Sequence, residues 1–267
     1  MMTKIGFIGA GRMATAMVRG MLAKGVCRPE DIICTSALDN TAERLAGETG
    51  VAYSLELKDL MAETSVLVLA IKPQQLAELP AGMADDTRGK LILSILAGKT
   101  LAGLRERFPR ARNLVRVMPN TPGQIGAGVS AFAASNPLSG EDARLVQAIL
   151  ASLGEWIEVP ERQIDAVTGL SGSGPAYVFE FIAALREGGT AAGLDPEVAA
   201  RLALETVLGA ARLVKETGEN PETLRDLVTS PGGTTLAGLE VMQREGFRDL
   251  LRETVLAAKR RSEELSG

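Results

Sequence analysis

Histidine is absent from this chain of 267 residues, and with it goes every mechanism that needs an imidazole base, a Ser-His pair or a His-ligated zinc. Cysteine is almost as scarce. Cys27 and Cys34 are too few for a disulfide framework and lack metal-ligand spacing, so they read as inert packing residues in a reducing cytoplasm. No metal site is expected. Basic clusters are missing as well: no run of Lys and Arg reaches five residues and the formal net charge is -4, which argues against nucleic acid or a membrane surface as a partner. Long apolar runs are also lacking. The most apolar stretch, "SVLVLAI" at 65 to 71, is far too short to cross a bilayer. The opening "MMTKIGFIGAG" is broken by glycines and reads as a strand, not as a signal peptide. A soluble, cytoplasmic protein is expected.

What is present is 46 % hydrophobic residues, enough for one large core or two modest ones. The first part of the chain alternates short β-branched or apolar runs with helical patterns. Strands are expected near 4–8, 31–35, 65–71, 90–95 and 112–118, in an order that implies a parallel sheet with right-handed crossovers. "GVSAFAAS" and "EWIEVP" flank a helical "SGEDARLVQAILASLG" and would close the sheet. Pro160 marks a boundary. Beyond it the strand signal nearly vanishes and helix punctuation takes over, for example Asp195 followed by Pro196 at one end and Gly218 at the other. The fold class is therefore α/β, a mostly parallel Rossmann-type domain over 1–159 followed by an all-helical domain over 160–267. In the segment 195–218 the apolar residues Val198, Leu202, Leu208 and Val214 occupy more than one stripe. The surplus apolar surface favours contact with a second subunit over a helix wrapped only by its own neighbours.

"KIGFIGAGRMATAMVRG" places Gly9 and Gly11 directly after a strand, with Ala14 where the third small residue of a dinucleotide fingerprint belongs. Gly9 permits the tight turn, Gly11 admits a pyrophosphate to the backbone, and the following helix offers free amides. At the end of the second strand the residues are Thr35 and Ser36. An acidic residue there would hold a ribose 2′-OH and repel a 2′-phosphate, so these hydroxyls favour NADPH while leaving NADH possible, with Arg12 or Arg44 supplying charge. Asp31 lies at the wrong end of its strand. Further loops fall at carboxyl ends of strands, where open α/β sheets bind ligands: Ala70 to Pro73, Ala97 with Gly98, and Asn120 with Thr121 between Pro119 and Pro122.

"TSPGGTT", just before the helical "LAGLEVMQREG", has no lysine and does not fit a nucleotide P-loop. Gly232 and Gly233 let the backbone curl into an anion-binding concavity, and Ser230, Thr234 and Thr235 offer hydroxyls. A small carboxylate suits such a cradle. A hydride cofactor, a carboxylate cradle and no histidine together favour reduction of a protonated imine over that of a ketone, whose nascent alkoxide needs a strong acid nearby. Thr235 is the candidate catalytic residue, steadying the nitrogen, and Glu161 a candidate attractor for a cationic substrate.

The segments "FIGAGRMA", "LAIKPQ", "SILAGKT", "RVMPNTP", "VTGLSGSGPAY" and "TSPGGTTLAGLEVM", in this order and spacing, resemble those of the pyrroline-5-carboxylate reductases, the last enzymes of proline biosynthesis. The resemblance covers nearly the whole chain. It implies NAD(P)H-dependent reduction of L-1-pyrroline-5-carboxylate to L-proline by an interlocked dimer, often assembled into decamers. It places pyrophosphate on Gly9, Ala10, Gly11, Arg12 and Met13, adenosine near Ser36, and the nicotinamide ribose beside Ala70, Ile71, Lys72, Pro73 and Ala97; apart from the resemblance, the rigid loop that holds Asn120 suits orientation of a nicotinamide amide. It places the substrate carboxylate on Ser230, Gly233, Thr234 and Thr235. Two departures are visible: Arg12 where the family more often has Asn, and Leu57 where an Asn would reach the adenosine. Two other readings stay open on the sequence. A β-hydroxyacid dehydrogenase is disfavoured because 169–193 contains no lysine, and a cofactor-sensing, non-enzymatic protein would have no use for the carboxylate cradle.

Overall fold

A computed structural model describes residues 4–37 and 39–266. Their strands form one sheet in the order β3-β2-β1-β4-β5-β6-β7-β8, with β1 at Ile5–Ile8, β2 at Ile32–Thr35, β3 at Ala52–Tyr53, β4 at Val66–Leu69, β5 at Leu91–Ser94, β6 at Asn113–Met118, β7 at Gly128–Ala134 and β8 at Gly154–Glu158. Helices α1 (Arg12–Ala23), α2 (Thr41–Thr49), α3 (Leu57–Glu63), α4 (Met83–Asp86), α5 (Leu101–Arg107) and α6 (Gly140–Ala151) connect the strands. A short α7 (Ile164–Val167) runs into a π turn over Thr168–Gly172. Then come α8 (Gly174–Ala191), α9 (Pro196–Thr217), α10 (Pro221–Leu227), α11 (Thr234–Arg244) and α12 (Phe247–Ser266).

The central strands β1, β2, β4 and β5 are buried at every position, as parallel strands covered on both faces must be. Alternation along each strand feeds two separate cores. Ile5, Phe7, Val66 and Val68 join the side chains of α1 and α6, including Met17, Met21 and Ile149. Ile8, Leu67, Leu69 and Ile92 join Leu60 of α3 and Leu104 of α5. Both thiols sit in this region, and burial pushes Cys27 and Cys34 each up to about 11, which keeps them protonated and unreactive.

The sheet departs from the sequence expectation at two edges. β7 runs antiparallel to β6, with Val115 opposite Ala134, because residues 119–127 are too few for a crossover to a parallel neighbour. β8 is parallel to β7, joined through α6, so the two strands extend the sheet. At the other edge the two-residue β3 pairs with β2. It is too short and too exposed to leave an apolar signature.

The chain divides into two compact units, residues 1–173 with 256–267, and residues 174–255. In the second, α9 begins as its punctuation predicts: the Asp195 carboxylate accepts the Glu197 N–H at 2.9 Å, Pro196 is the first helical residue, and Gly218 ends the helix with φ 68°. Only Ala199 and Ala203 of α9 are buried, while Val198, Leu202, Leu204, Leu208 and Leu213 are exposed.

Phe7 is fully buried in the central strand. Phe7→Ala is expected to cost about 3–5 kcal/mol of unfolding free energy, the usual loss for an aromatic truncated inside a packed core. Urea denaturation checks this, and a loss below about 1 kcal/mol would contradict the packing described.

Candidate active site

The glycine turn of the first unit is built from three strand ends fastened side by side. The Gly9 N–H donates to the Thr35 carbonyl at 2.9 Å, and the Ala70 N–H donates to the Ile8 carbonyl at 2.8 Å. Gly9 has φ +102°, and a Cβ there would lie 2.5 Å from the Ala70 carbonyl oxygen, so no other residue fits. Gly11 differs. Among the described residues other than its chain neighbours, no atom lies within 4 Å of a Gly11 Cβ, so the packing of the fold does not itself require glycine at that position. Ala10 and Ala14 are buried under the turn. The first helical bond of α1 runs from the Thr15 N–H to the Gly11 carbonyl, which leaves the amides of Arg12, Met13 and Ala14 without intrahelical partners.

Arg12 and Arg44 line one cleft, together with Arg19, Glu48, Gln124 and Ile125. Arg19 is paired with Glu48 at 2.6 Å. Neither Arg12 nor Arg44 has a carboxylate within ion-pair distance among the described residues. Ser36 accepts the Ala42 N–H at 3.1 Å and donates to the Ala37 carbonyl at 3.0 Å, which shapes the turn after β2. Asp39, overlooked in the sequence, lies in the same turn. Its carboxylate accepts the Thr41 hydroxyl at 2.7 Å and the Thr41 N–H at 3.1 Å, and these bonds hold it below the usual carboxylate range. Leu57 opens α3. Asp31 is bound to Arg28 ahead of β2, at the opposite end of the strand from the glycine turn.

The other expected loops follow neighbouring strands of the same sheet. After β4, the Lys72 N–H donates to Gln75 Oε1 at 2.9 Å and the chain enters a 3₁₀ turn at Pro73, leaving the Lys72 side chain exposed beside half-buried Ala70 and Ile71. After β5, Ala97 is exposed and Gly98 buried. After β6, Asn120 Oδ1 accepts the Val129 N–H at 2.9 Å, stitching that loop to β7, and Thr121 opens a 3₁₀ turn. The Met118 side chain packs against Gly172 in the π turn, so two of the sequence motifs touch.

Glu161 has partners of its own within the first unit. Its Oε1 accepts the Leu101 N–H at 2.6 Å, at the start of α5, and lies 3.5 Å from Arg116. The Arg116 side chain is only 4 % exposed and also reaches Asp165 at 3.0 Å. The sequence reading passed over Arg116, although a charge inside the strand "NLVRVM" is a signal, since a buried guanidinium demands acidic partners.

In the second unit one turn gathers Ser230, Gly232, Gly233, Thr234 and Thr235. Gly232 has φ +70°, the Gly233 N–H donates to the Ser230 carbonyl at 3.0 Å, and a Cβ on Gly233 would come within 2.5 Å of Ser230 Oγ. Gly233 is the N-cap of α11 and provides no side-chain cap. The first-turn amides of Thr234, Thr235 and Leu236 therefore have no intrahelical partner, and Ser230, Thr234 and Thr235 are all exposed. This is a concentrated set of hydrogen-bond donors, suited to a small anion.

Two family models match successive parts of the chain. Residues 161–265 match the family model described as pyrroline-5-carboxylate reductase dimerisation, and residues 4–98 match that of NADP oxidoreductase, coenzyme F420-dependent. The pyrroline-5-carboxylate reductase of Coxiella burnetii is similar over 100 % of both chains, at 34 % identity and a TM-score of 0.92. The Plasmodium falciparum pyrroline carboxylate reductase with NADP bound is similar over 99 % of this chain and 98 % of that one, at 28 % identity and a TM-score of 0.86. Among curated sequences, the pyrroline-5-carboxylate reductase of Synechocystis is 43 % identical over 99 % of both chains, and that of Arabidopsis thaliana 42 % identical over 98 % of this chain and 95 % of its own. Likeness of this degree, running from end to end, places the chain in the pyrroline-5-carboxylate reductase family.

Proposed function

We propose that the protein reduces L-1-pyrroline-5-carboxylate to L-proline with a nicotinamide cofactor, the last step of proline biosynthesis. The observation that carries this reading is the end-to-end likeness to pyrroline-5-carboxylate reductases at up to 43 % identity, joined to a glycine turn and a hydroxyl-rich helix start of the chemistry such a reaction requires. The residues fit a dinucleotide. Among the described residues Gly11 has no neighbour that excludes a Cβ, so the approach of a pyrophosphate accounts for the glycine, and the free amides of Arg12 and Met13 lie at the helix start that would hold it. Ala10 supports that turn, Ser36 borders the adenosine, and Ala70, Ile71, Lys72, Pro73, Ala97 and Asn120 border the nicotinamide ribose and amide.

When bound, the reduced nicotinamide supplies a hydride. The chain's own residues bind and orient the imino acid. Ser230, Gly232, Gly233 and Thr234 hold its carboxylate by hydroxyls and backbone amides at the positive end of the α11 dipole. The Thr235 hydroxyl accepts a hydrogen bond from the protonated ring nitrogen. Because the substrate already carries its proton, hydride addition at the carbon converts C=N–H⁺ to CH–NH with no proton taken from the protein, which is why a histidine-free site suffices. Glu161, its charge offset by Arg116, serves this reading only as an anchor of α5. NADPH is preferred over NADH through Arg12 and Arg44, which bring two positive charges to the adenosine side. Residues 160–267 serve substrate binding and dimerisation, although 160–173 and 256–267 cluster with the first compact unit; the dimer is the unit of assembly in the cytoplasm, with a decamer as its further option.

Loss of nicotinamide absorbance on mixing protein, NADPH and pyrroline-5-carboxylate is the direct assay, and no decay with excess protein rejects the assignment. Thr235→Val is expected to keep NADPH binding and to lower kcat roughly 10- to 100-fold, the worth of one hydrogen bond to a charged group; undiminished turnover removes Thr235 from the chemistry. Replacing Arg12 and Arg44 together by Gln is expected to raise KM for NADPH about tenfold and leave that for NADH unchanged, the signature of a lost charge-assisted contact. Equal effects on both cofactors would show that the arginines do not read the 2′-phosphate.

A further inference from the structure

We propose that the last turn of α12, Ser262 to Ser266, is a positioning element for the nicotinamide cofactor, acting through the loop between β5 and α5. The inference rests on the reading of Ala97 as a neighbour of the nicotinamide ribose and adds to it a cause for the loop's shape.

The loop is held at both ends by one closed circuit of contacts. At its first end, Gly98 has φ +69°, and a Cβ there would lie 2.8 Å from the Leu265 carbonyl oxygen. From the sequence Gly98 is one residue of a loop at a strand's carboxyl end; the structure shows its smallness is needed where it lies on the C-terminal turn. At its second end, the Leu101 N–H donates to Glu161 Oε1 at 2.6 Å. Glu161 leads to Arg116 at 3.5 Å, and Arg116 to Asp165 Oδ1 at 3.0 Å. That same oxygen accepts the Ser262 hydroxyl at 2.7 Å, and the Ser266 hydroxyl, which donates to the Ser262 carbonyl at 2.9 Å, shares its proton with it at 3.3 Å, which brings the circuit back to the turn that carries Leu265.

A carboxylate oxygen that takes a guanidinium, the Ser262 hydroxyl and a share of the Ser266 proton is fully engaged. Ser262 is itself buried, so its hydroxyl has no competing water. The two serines are the circuit's junction with the C-terminal turn. Without them the turn is tied to Asp165 by no hydroxyl, Gly98 loses its support, and the exposed Ala97 beside it is free to move. A loop that must be ordered by the cofactor binds it more weakly than one ordered beforehand. The substrate cradle at Ser230–Thr235 takes no part in the circuit.

The test is steady-state kinetics of Ser262→Ala/Ser266→Ala in the full-length protein, with thermal melting alongside. The expected result is a 3- to 10-fold rise in KM for NADPH, with KM for pyrroline-5-carboxylate unchanged, kcat within twofold, and near-normal kinetics restored by Ser262→Thr in the Ser266→Ala background. An unchanged KM for NADPH overturns the proposal. So does a fall in melting temperature accompanied by equal losses toward both substrates, which would mark the serines as general struts. Ala97→Leu separates the two layers of inference: if it leaves KM for NADPH unaltered, the placement of the ribose falls and this proposal with it, whereas a raised KM in Ala97→Leu with no effect of the serine pair overturns the positioning role alone.

Discussion

The close approach of Gly9 to the Ala70 carbonyl is the constraint on which the loop-bearing edge of the sheet depends. With 2.5 Å available to a Cβ, β1 can turn into α1 directly over β4 only if no side chain is present. That turn brings the first amides of α1 beside the ends of β2 and β4, and the Gly9–Thr35 and Ala70–Ile8 hydrogen bonds lock the three ends into one rim. Parallel pairing then supplies the remainder. Strands that all point the same way deliver their following loops to the same edge, so the segments after β4, β5 and β6 reach that rim in sheet order without further instruction.

Much of this was legible because parallel strands buried on both faces are apolar throughout and are followed by helices with strong periodicity. β1, β2, β4, β5 and β6 lie where the β-branched runs predict. The features the sequence concealed are those whose cause is not local. The direction of β7 depends on how many residues join it to β6, β3 is too short to show a period, and α3 and α4 are brief helices in segments without a clear stripe. Gly98 is the instructive case: its smallness was visible, but the neighbour that requires it, Leu265, lies at the far end of the chain. Arg116 is similar. Its charge was plain in the strand, whereas its partners Glu161 and Asp165 become partners only once β6 and α7 are packed.

The donor-rich turn before α11 was more readable than the scaffold around it, for a chemical reason. A tight turn that opens a helix and presents many donors needs glycine for curvature and hydroxyls for extra donors, and those needs fall on adjacent residues. Ser230 through Thr235 therefore appear as one continuous string. Glu161 lacked that advantage. Its carboxylate could face a substrate or cap a helix, and only the position of Leu101 distinguishes the two.

The exposed leucines of α9 carry a consequence for the protein's life in dilute solution. Leu202, Leu204, Leu208 and Leu213 are about half exposed in a single chain, and covering what remains of each is worth about 1 kcal/mol. A helical half so built draws part of its folding free energy from association, so its melting point should climb with protein concentration and sink on dilution. Abundance in the cell then becomes a term in whether the chain stays folded at all.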